Sequence, residues 1–318
     1  MTGNIQSAGT LSRRGAMILA GAAALGWGGS GSAADADGGL AEHGFDLAGR
    51  ARRYLLFLPP GHDRTRPAPL LLVFHGGGGT AESMARIMDT HAKAARMGMI
   101  TAYPQSLYEG FNAGPGVDGK APNFGQAVAE GVDDVAYVSR VIDDVGAHAK
   151  VDPRRVFAAG WSNGSAMSFR LAVQLSDRIA AVAGAMSELS LMDPLTMRRP
   201  VPMMYIWGTK DPIMRPGSPP KAELAARMIQ RLIALDRCAP TPVEVIERKN
   251  ATRRTWRGAA EGSEVVEWRL EGSGHWWPGL PIPAASREKV EARFGPLVSD
   301  INATDEILPF FLHHPMPT

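Results

Sequence analysis

The length, composition and charge of the chain already exclude several classes of protein. Its 318 residues are 45% hydrophobic and 21% charged, as in ordinary globular proteins, which excludes a disordered or fibrous chain. The formal net charge of +2 with no basic run excludes a nucleic-acid-binding or polybasic membrane surface, and the single cysteine excludes both an intrachain disulfide and a multi-cysteine metal site.

The first predicted element is a signal peptide over residues 1–36. Arg13 and Arg14 precede a short apolar run from Ala16 to about Trp27, and small residues then lead to Ala34-Asp35-Ala36, which fits a small-x-small cleavage site. The apolar run is shorter than the ~20 residues of a membrane span. The paired arginines indicate the twin-arginine export route, with an ordinary secretory signal as the alternative. We therefore expect a secreted protein, periplasmic or extracellular, without a stable membrane anchor.

Residues 37–318 are predicted to form one domain, in which short apolar runs alternate with longer amphipathic ones. The predicted strands are Arg53–Leu58, Leu70–Phe74, Met99–Tyr103, Val156–Ala159, Ala180–Ala185, Met203–Trp207 and Val265–Leu270. The predicted helices are Ala81–Met97, Val132–Ala149, Ser165–Leu175, Lys221–Leu235 and Thr304–His313. Because the strands are apolar throughout, we expect a mostly parallel, doubly wound α/β sheet with helices on both faces.

A glycine-rich loop, His75-Gly76-Gly77-Gly78-Gly79, follows the predicted strand Leu70–Phe74. An H-G-G-G sequence at the end of an early strand is typical of hydrolases, in which its backbone N–H groups bind the oxyanion of a tetrahedral intermediate. Gly76 and Gly77 are the predicted donors. A phosphate-binding loop is the alternative, but no G-K-[ST] follows the glycines. We interpret His75 as a structural residue that hydrogen-bonds this loop.

The next signal is the pentapeptide Gly160-Trp161-Ser162-Asn163-Gly164, a G-x-S-x-G sequence between a predicted strand and a predicted helix. That strand–turn–helix context is the one in which this motif carries a nucleophilic serine. The two glycines lack the Cβ atoms that would clash in so tight a turn, and the N–H of Asn163 is a predicted second oxyanion donor. The alternative is a chance match in a glycine-rich chain. We predict Ser162 as the nucleophile.

A general base must follow the serine in the hydrolase order Ser…Asp/Glu…His. Of the eight histidines, three follow Ser162: His275, His313 and His314. The last two lie in the terminal segment, whereas His275 lies on a glycine-hinged loop just after a predicted strand. We therefore predict His275 as the base.

The acid must lie between the serine and the histidine, and Asp211 is the predicted residue. It follows the predicted strand Met203–Trp207 directly and would accept a hydrogen bond from His275 Nδ1–H. The competing carboxylates are Glu188, Asp193 and Asp236. The other reading of Asp211 is an Asx residue that initiates a turn before proline.

Four segments together carry a resemblance to a known family. They are H-G-G-G-G at 75–79, Asp152–Phe157 leading into G-W-S-N-G, W-G-T-K-D at 207–211 and G-H-W-W-P at 274–278. The chain resembles the esterase/polyhydroxybutyrate depolymerase family, in particular its LpqC-like group, which is related to feruloyl and acetylxylan esterases. The resemblance implies an α/β-hydrolase fold, a Ser162-Asp211-His275 triad and secreted hydrolysis of carboxylic esters. It implies no metal or organic cofactor.

The substrate is expected to be a small or oligomeric ester: a hydroxycinnamoyl or acetyl ester, or a short 3-hydroxyalkanoate oligomer. Trp161 and Trp276 flank catalytic residues, and Phe111 lies in the irregular Gly/Asn/Pro-rich stretch 107–131, at a position where relatives often carry tryptophan. These three aromatic residues are predicted to bind substrate, with ordinary loop packing as the alternative.

Three other functions remain open at the level of sequence. A serine peptidase or aminoacyl hydrolase would use the same triad on the same fold. A hydrolase-fold binding protein would need no triad, and here no member is missing. Acyl transfer to an acceptor other than water would share the acyl-enzyme step.

Overall fold

The computed structural model describes residues 39–88, 90–116, 125–214, 218–260 and 263–318. The predicted signal peptide, with Arg13 and Arg14, lies outside the described residues. No helix among the described ranges is both long enough and apolar enough to cross a membrane.

The strands described in these ranges form one ten-stranded sheet in the order β1-β2-β4-β3-β5-β6-β7-β10-β9-β8. Their bounds are β1 Leu40–Leu47, β2 Arg50–Phe57, β3 Ala68–Phe74, β4 Ile100–Pro104, β5 Val151–Trp161, β6 Ala181–Ala185, β7 Met203–Gly208, β8 Glu244–Glu247, β9 Ala251–Arg257 and β10 Glu264–Leu270. The central strands from β4 to β10 run parallel, and the pairs at both edges run antiparallel.

Helices connect most of the parallel strands. They are α1 Ala81–Met88, α2 Thr90–Arg96, α3 Gln126–Ala129, α4 Asp134–His148, α5 Asn163–Gln174, α6 Lys221–Leu235, α7 Ala284–Phe294 and α8 Ala303–Leu312. Two of them begin at capping side chains: Asp133 accepts from the N–H of Ala136 before α4, and Asn302 accepts from the N–H of Asp305 before α8.

The sheet is covered on both faces, as predicted from its apolar strands. Alternate residues of β3 divide between two hydrophobic clusters: Leu70 and Leu72 pack with residues of α4, α5 and α6, and Leu71 packs with residues of α1, α2, α7 and α8. Since neighbouring side chains of a strand point to opposite faces, β3 is buried between two layers of helices. The mostly parallel, doubly wound α/β prediction is confirmed.

The elements that the sequence prediction missed lie at the sheet edges and on the surface. Strands β1, β8 and β9 and helices α3 and α7 were not predicted, and in the stretch predicted as one helix, Ala81–Met97, the structure describes α1 and α2. Every residue of β8 is exposed, and α7 buries Val290 and Phe294 among its eleven residues. Edge elements of this kind lack the apolar pattern on which such predictions depend.

Candidate active site

The predicted site residues lie on loops at one edge of the sheet. Parallel strands β3, β5, β7 and β10 end at Phe74, Trp161, Gly208 and Leu270, and the four loops that follow carry the glycine-rich stretch, the serine, the aspartate and the histidine. Because the strands are parallel, their carboxyl ends meet on the same side of the molecule, where open α/β sheets bind ligands.

The Ser162 turn is backbone-strained. Ser162 has φ 55° and ψ −121°, a conformation uncommon for a residue with a side chain, and its N–H donates to the carbonyl oxygen of Ala185 at 2.8 Å. A Cβ on Gly160 would lie 2.2 Å from the Gly164 carbonyl oxygen, and one on Gly164 would lie 2.2 Å from the Phe74 carbonyl oxygen. Both positions of the motif therefore require glycine.

His275 and Asp211 form a buried pair. The Nδ1 of His275 donates to Oδ2 of Asp211 at 2.7 Å, and both side chains are almost fully shielded from solvent. The loop that carries His275 passes so close to α7 that a Cβ on Gly274 would lie 2.1 Å from the carbonyl oxygen of Phe294. The pairing sets the histidine tautomer and directs Nε2 away from the carboxylate.

His275 Nε2 is buried and has no hydrogen-bond partner among the described residues. The Ser162–His275 hydrogen bond is therefore not formed in this structure. The neighbouring residue Trp161 packs on His275 with ring centroids 5.8 Å apart, which places the two loops in direct contact. In ligand-free active sites such hydrogen bonds are often long and tighten only when substrate binds.

Asp211 is held as an anion. Burial raises the pKa of its carboxyl, but the facing His275, the ammonium of Lys221 at 3.4 Å and the N–H of Ile213 at 2.8 Å outweigh burial and lower the pKa below its ordinary value. An ionised carboxylate at this position can stabilise a positively charged imidazole.

The glycine-rich loop lies against the serine turn. A Cβ on Gly76 would lie 3.3 Å from the Cβ of Ser162, so this loop approaches the serine with backbone alone. The N–H groups of Gly78 and Gly79 are engaged, with the carbonyl oxygens of Glu109 and Gly76. The N–H groups of Gly76 and Gly77, by contrast, have no backbone acceptor among the described residues.

His75 supports this loop, as interpreted from the sequence. Its Nδ1 donates to the carbonyl oxygen of Gly76 at 2.8 Å, and its Nε2 accepts from the N–H of Ser106 at 3.2 Å. Complete burial lowers the pKa of His75 to about 4, so the ring is neutral at pH 7. Both ring nitrogens are used for structure, which leaves neither for proton transfer to a substrate.

The backbone and the side chain of Asn163 have separate roles. As the first residue of α5, its backbone N–H belongs to the helix N-terminus, where amides lack intrahelical acceptors. Its side chain clamps the backbone of Phe111: Oδ1 accepts from the Phe111 N–H at 2.7 Å, and Nδ2 donates to the Phe111 carbonyl oxygen at 3.1 Å. This clamp joins the segment before α3 to the serine turn.

The structure corrects the prediction that Phe111 binds substrate. Its ring is fully buried and packs against Phe74 and His75, with centroids 5.3 and 4.7 Å away. A ring enclosed on all sides presents no face to a ligand. Phe111 contributes through its backbone, which Asn163 holds.

Trp161 and Trp276 do line a pocket beside the glycine-rich loop, and its cavity volume is about 20 Å³ in this structure. The tryptophans pack edge to face with ring centroids 5.4 Å apart. The apolar residues of the lining are Met84, Ile87, Trp161, Trp276, Trp277 and Leu280. Sequence reasoning did not connect α1 to the site, although the apolar face of α1 could have suggested it.

The other carboxylates and histidines considered for the acid and base roles do not take the place of Asp211 or His275. Glu188 accepts from Tyr205 and Lys221 rather than from a histidine. Asp193 pairs with Arg231 at the surface, and Asp236 follows the last residue of α6. His313 and His314 follow α8.

Lys221, the first residue of α6, was not predicted as a site residue. Its sequence context, Pro219-Pro220-Lys221, signals the start of a helix and carries no indication of burial beside Asp211. Within the described ranges, no group of three or more histidine, cysteine or carboxylate side chains is arranged to hold a metal ion.

Comparison with known proteins reveals the chain's relatives. A family model described as Esterase PHB depolymerase matches residues 52–204. "Putative esterase NocK" of Nocardia uniformis subsp. tsuyamanensis is 30% identical over 262 residues, which cover 74% of each chain. Feruloyl esterase D of Neurospora crassa is 25% identical over 232 residues, covering 72% of this chain and 76% of the relative.

Solved structures share the fold. Acetyl xylan esterase from Aspergillus awamori superposes with a TM-score of 0.51 at 14% identity, covering 76% of this chain and 93% of the esterase. A thermostable esterase superposes with a TM-score of 0.53 at 13% identity, covering 87% of this chain and 63% of its own. At these identities the likeness supports the α/β-hydrolase fold.

Proposed function

Since the chain belongs to the esterase PHB depolymerase family of carboxylic ester hydrolases, we propose that it cleaves esters through an acyl-enzyme formed on Ser162. The observation that carries this proposal is the strained Ser162 turn packed against the loop of the buried His275–Asp211 pair. A serine on a strained turn and, on the loop packed against it, a histidine whose Nε2 is free to accept a proton supply the nucleophile and the base that such catalysis requires.

In the first step, Ser162 Oγ attacks the ester carbonyl carbon while His275 Nε2 takes the hydroxyl proton. Asp211 stays ionised, keeps the histidine in the required tautomer and stabilises the imidazolium that forms. The imidazolium then gives its proton to the departing alkoxide oxygen, and the alcohol leaves.

The negative charge on the former carbonyl oxygen is bound by backbone amides. The proposed donors are the N–H of Asn163, at the positive end of the α5 dipole, and the N–H of Gly76 or Gly77. Loss of one such donor costs roughly 3–4 kcal/mol of transition-state stabilisation.

In the second step, water attacks the acyl-enzyme. His275 takes a proton from the water and returns it to Ser162 Oγ, which releases the carboxylic acid and restores the free enzyme. Water as the acceptor makes the protein a hydrolase rather than a transferase.

The substrate is proposed to be an ester whose bound portion is uncharged. The pocket beside the glycine-rich loop is lined mainly by apolar side chains, including the edge-to-face pair Trp161 and Trp276. Burying an unpaired charge there would be unfavourable. Hydroxycinnamoyl and acetyl esters and short 3-hydroxyalkanoate oligomers all satisfy this requirement, and relatives carry the names feruloyl esterase and acetylxylan esterase.

The enzyme is proposed to act outside the cytoplasm. The support for this is the sequence of residues 1–36, with its charged start, apolar run and small-residue cleavage site. With a single cysteine, the mature chain needs no disulfide formation after export, which suits the twin-arginine route.

The test is turnover of p-nitrophenyl butyrate by Ser162→Ala. We expect kcat to fall by about 10³-fold or more because the nucleophile is removed. Ser286→Ala, on α7, is the matched control and should keep wild-type kcat. Undiminished activity of Ser162→Ala contradicts the proposal, as does wild-type cleavage of an amide without cleavage of the matching ester.

A further inference from the structure

A charged pair, buried Lys221 with half-buried Glu188, lies next to the Asp211 carboxylate. Lys221 is 7% exposed although it is a lysine at a helix start. Its ammonium donates to Glu188 Oε1 at 2.8 Å and lies 3.4 Å from Asp211 Oδ2. Burying a lysine is costly, so it is found where carboxylates compensate for its lost hydration.

One oxygen joins the two pairs. Asp211 Oδ2 accepts from His275 Nδ1 at 2.7 Å and faces the Lys221 ammonium at 3.4 Å. Because both groups lie next to the same oxygen, the distance between Lys221 Nζ and His275 Nδ1 cannot exceed the sum of these two distances. At such a separation in a buried site, a cation opposes the formation of a second cation on the imidazole ring.

We propose that Lys221 and Glu188 are positioning residues that set the pH range of the reaction: Lys221 fixes Asp211 toward His275 and disfavours the imidazolium, and Glu188 partly offsets the Lys221 charge. This inference rests on the proposed function, since it concerns the base of the same triad. Neither residue contacts the reacting atoms.

The charged and titratable groups around Lys221 lie on three strands, β6, β7 and β10, or on the loops that follow them. Glu188 follows β6, Asp211 follows β7 and His275 follows β10. Tyr205, on β7, donates its hydroxyl to Glu188 Oε1 at 2.8 Å and completes the chain. The negative charge of Glu267, on β10, helps to raise the pKa of Tyr205, and Glu267 is itself paired with Arg254.

Lys221, Glu188 and Asp211 are all charged at neutral pH. Burial lowers the pKa of Lys221, but Glu188 and Asp211 outweigh burial and raise it above the ordinary value. Burial raises the pKa of Glu188, but Lys221 and the Tyr205 hydroxyl outweigh it and lower the pKa. The lysine is thus a cation at neutral pH, close to the imidazole.

Two single substitutions should move the pH profile of kcat/KM in opposite directions. Lys221→Met removes the opposing cation, so the acid limb should move to higher pH by about one unit. Glu188→Gln leaves the lysine facing Asp211 alone, so the acid limb should move to lower pH. The acid limb reports the protonation of the free enzyme's base, which a purely structural role would not shift in two directions.

Lys289→Met, an exposed lysine on α7, is the matched control and should leave the acid limb at the wild-type pH. Where Lys221→Met fails to fold, the double variant Lys221→Met with Glu188→Gln leaves no unpaired buried charge. Its acid limb should still lie above that of the wild type, because the lysine is the nearer of the two charges to Asp211.

The proposal is overturned if the acid limbs of Lys221→Met and Glu188→Gln stay at the wild-type pH or move in the same direction. Such a result, together with lost turnover in Ser162→Ala, leaves the proposed function intact and removes the inference. Turnover that survives in Ser162→Ala overturns the proposed function itself.

Discussion

At the scale of single residues, the candidate site combines one strained backbone position with one buried hydrogen bond between a carboxylate and a histidine. Ser162 is held at φ 55°, and Asp211 is kept ionised next to His275. Each feature is unfavourable for folding when taken alone, since strain of this kind costs about 1–3 kcal/mol and buried charges require compensation. Their occurrence on adjacent loops supports a functional rather than a structural origin.

Asp211→Asn tests the role of the carboxylate while keeping its size. The amide can present its N–H₂ to His275 Nδ1, which favours the wrong histidine tautomer, so we expect kcat to fall roughly 10⁴-fold with little change in KM. The measurement is steady-state hydrolysis of p-nitrophenyl butyrate. Near-wild-type kcat would show that Asp211 does not orient the base.

The residues of the site could be predicted where a motif and chain order limited the choices. Ser162 lies in a short motif with a defined context, and three histidines remained after it. Phe111 was misassigned because a single aromatic residue in an irregular segment carries no periodic signal of burial. Lys221 could not be predicted, because its position beside Asp211 depends on how α6 packs against two loops.

At the scale of elements, the turn from β5 to α5 depends on close backbone approach. The Cβ of Gly160→Ala would lie 2.2 Å from the Gly164 carbonyl oxygen, and backbone cannot yield as a flexible side chain can. We expect a large drop in the thermal unfolding midpoint together with loss of ester hydrolysis.

Gly146→Ala is the control for this substitution. Gly146 lies inside α4, and a Cβ there meets no atom within 4 Å. Because alanine favours the helix over glycine by about 1 kcal/mol, the unfolding midpoint should stay level or rise. Equal midpoints for Gly160→Ala and the wild type would show that the turn tolerates a side chain.

Buried strands could be predicted from the sequence, whereas exposed ones could not. The central strands are continuous apolar runs, such as β3 with all seven residues buried, and they were found. Strand β9 carries three arginines, and every residue of β8 is exposed, so neither has an apolar run to detect. Tertiary pairing to β10, rather than local sequence, makes β9 a strand.

At the scale of the whole molecule, buried His75 couples stability to pH. Its folded pKa of about 4 lies below the ordinary value of 6.5, so between these values the unfolded chain binds a proton that the folded chain does not. Stability from this group is therefore complete above pH 6.5 and is lost as pH falls toward 4, by up to about 3 kcal/mol.

The measurement is the thermal unfolding midpoint between pH 7 and pH 4, for the wild type and for His75→Gln. The glutamine variant is expected to be less stable at pH 7 but to lose less stability on acidification. Replacement of the exposed His313 by glutamine should leave the wild-type slope unchanged. An equal slope in His75→Gln would contradict the assignment.

The overall architecture could be read from the alternation of strands and helices, but the shape of the pocket could not. The fold follows from burial along each segment, a local property of the sequence. The pocket is formed by side chains from α1, the serine turn and the 276–280 loop, which are far apart in the chain. Which side chains meet there is decided by the fold as a whole, so the pocket could not be predicted segment by segment.

The central claim is that Ser162 is the nucleophile. The most direct measurement is mass spectrometry of the protein after reaction with a fluorophosphonate. We expect one adduct per chain, located on Ser162 in the tryptic peptide 156–170, and none in Ser162→Ala. An adduct on another residue, or equal labelling of Ser162→Ala, would contradict it.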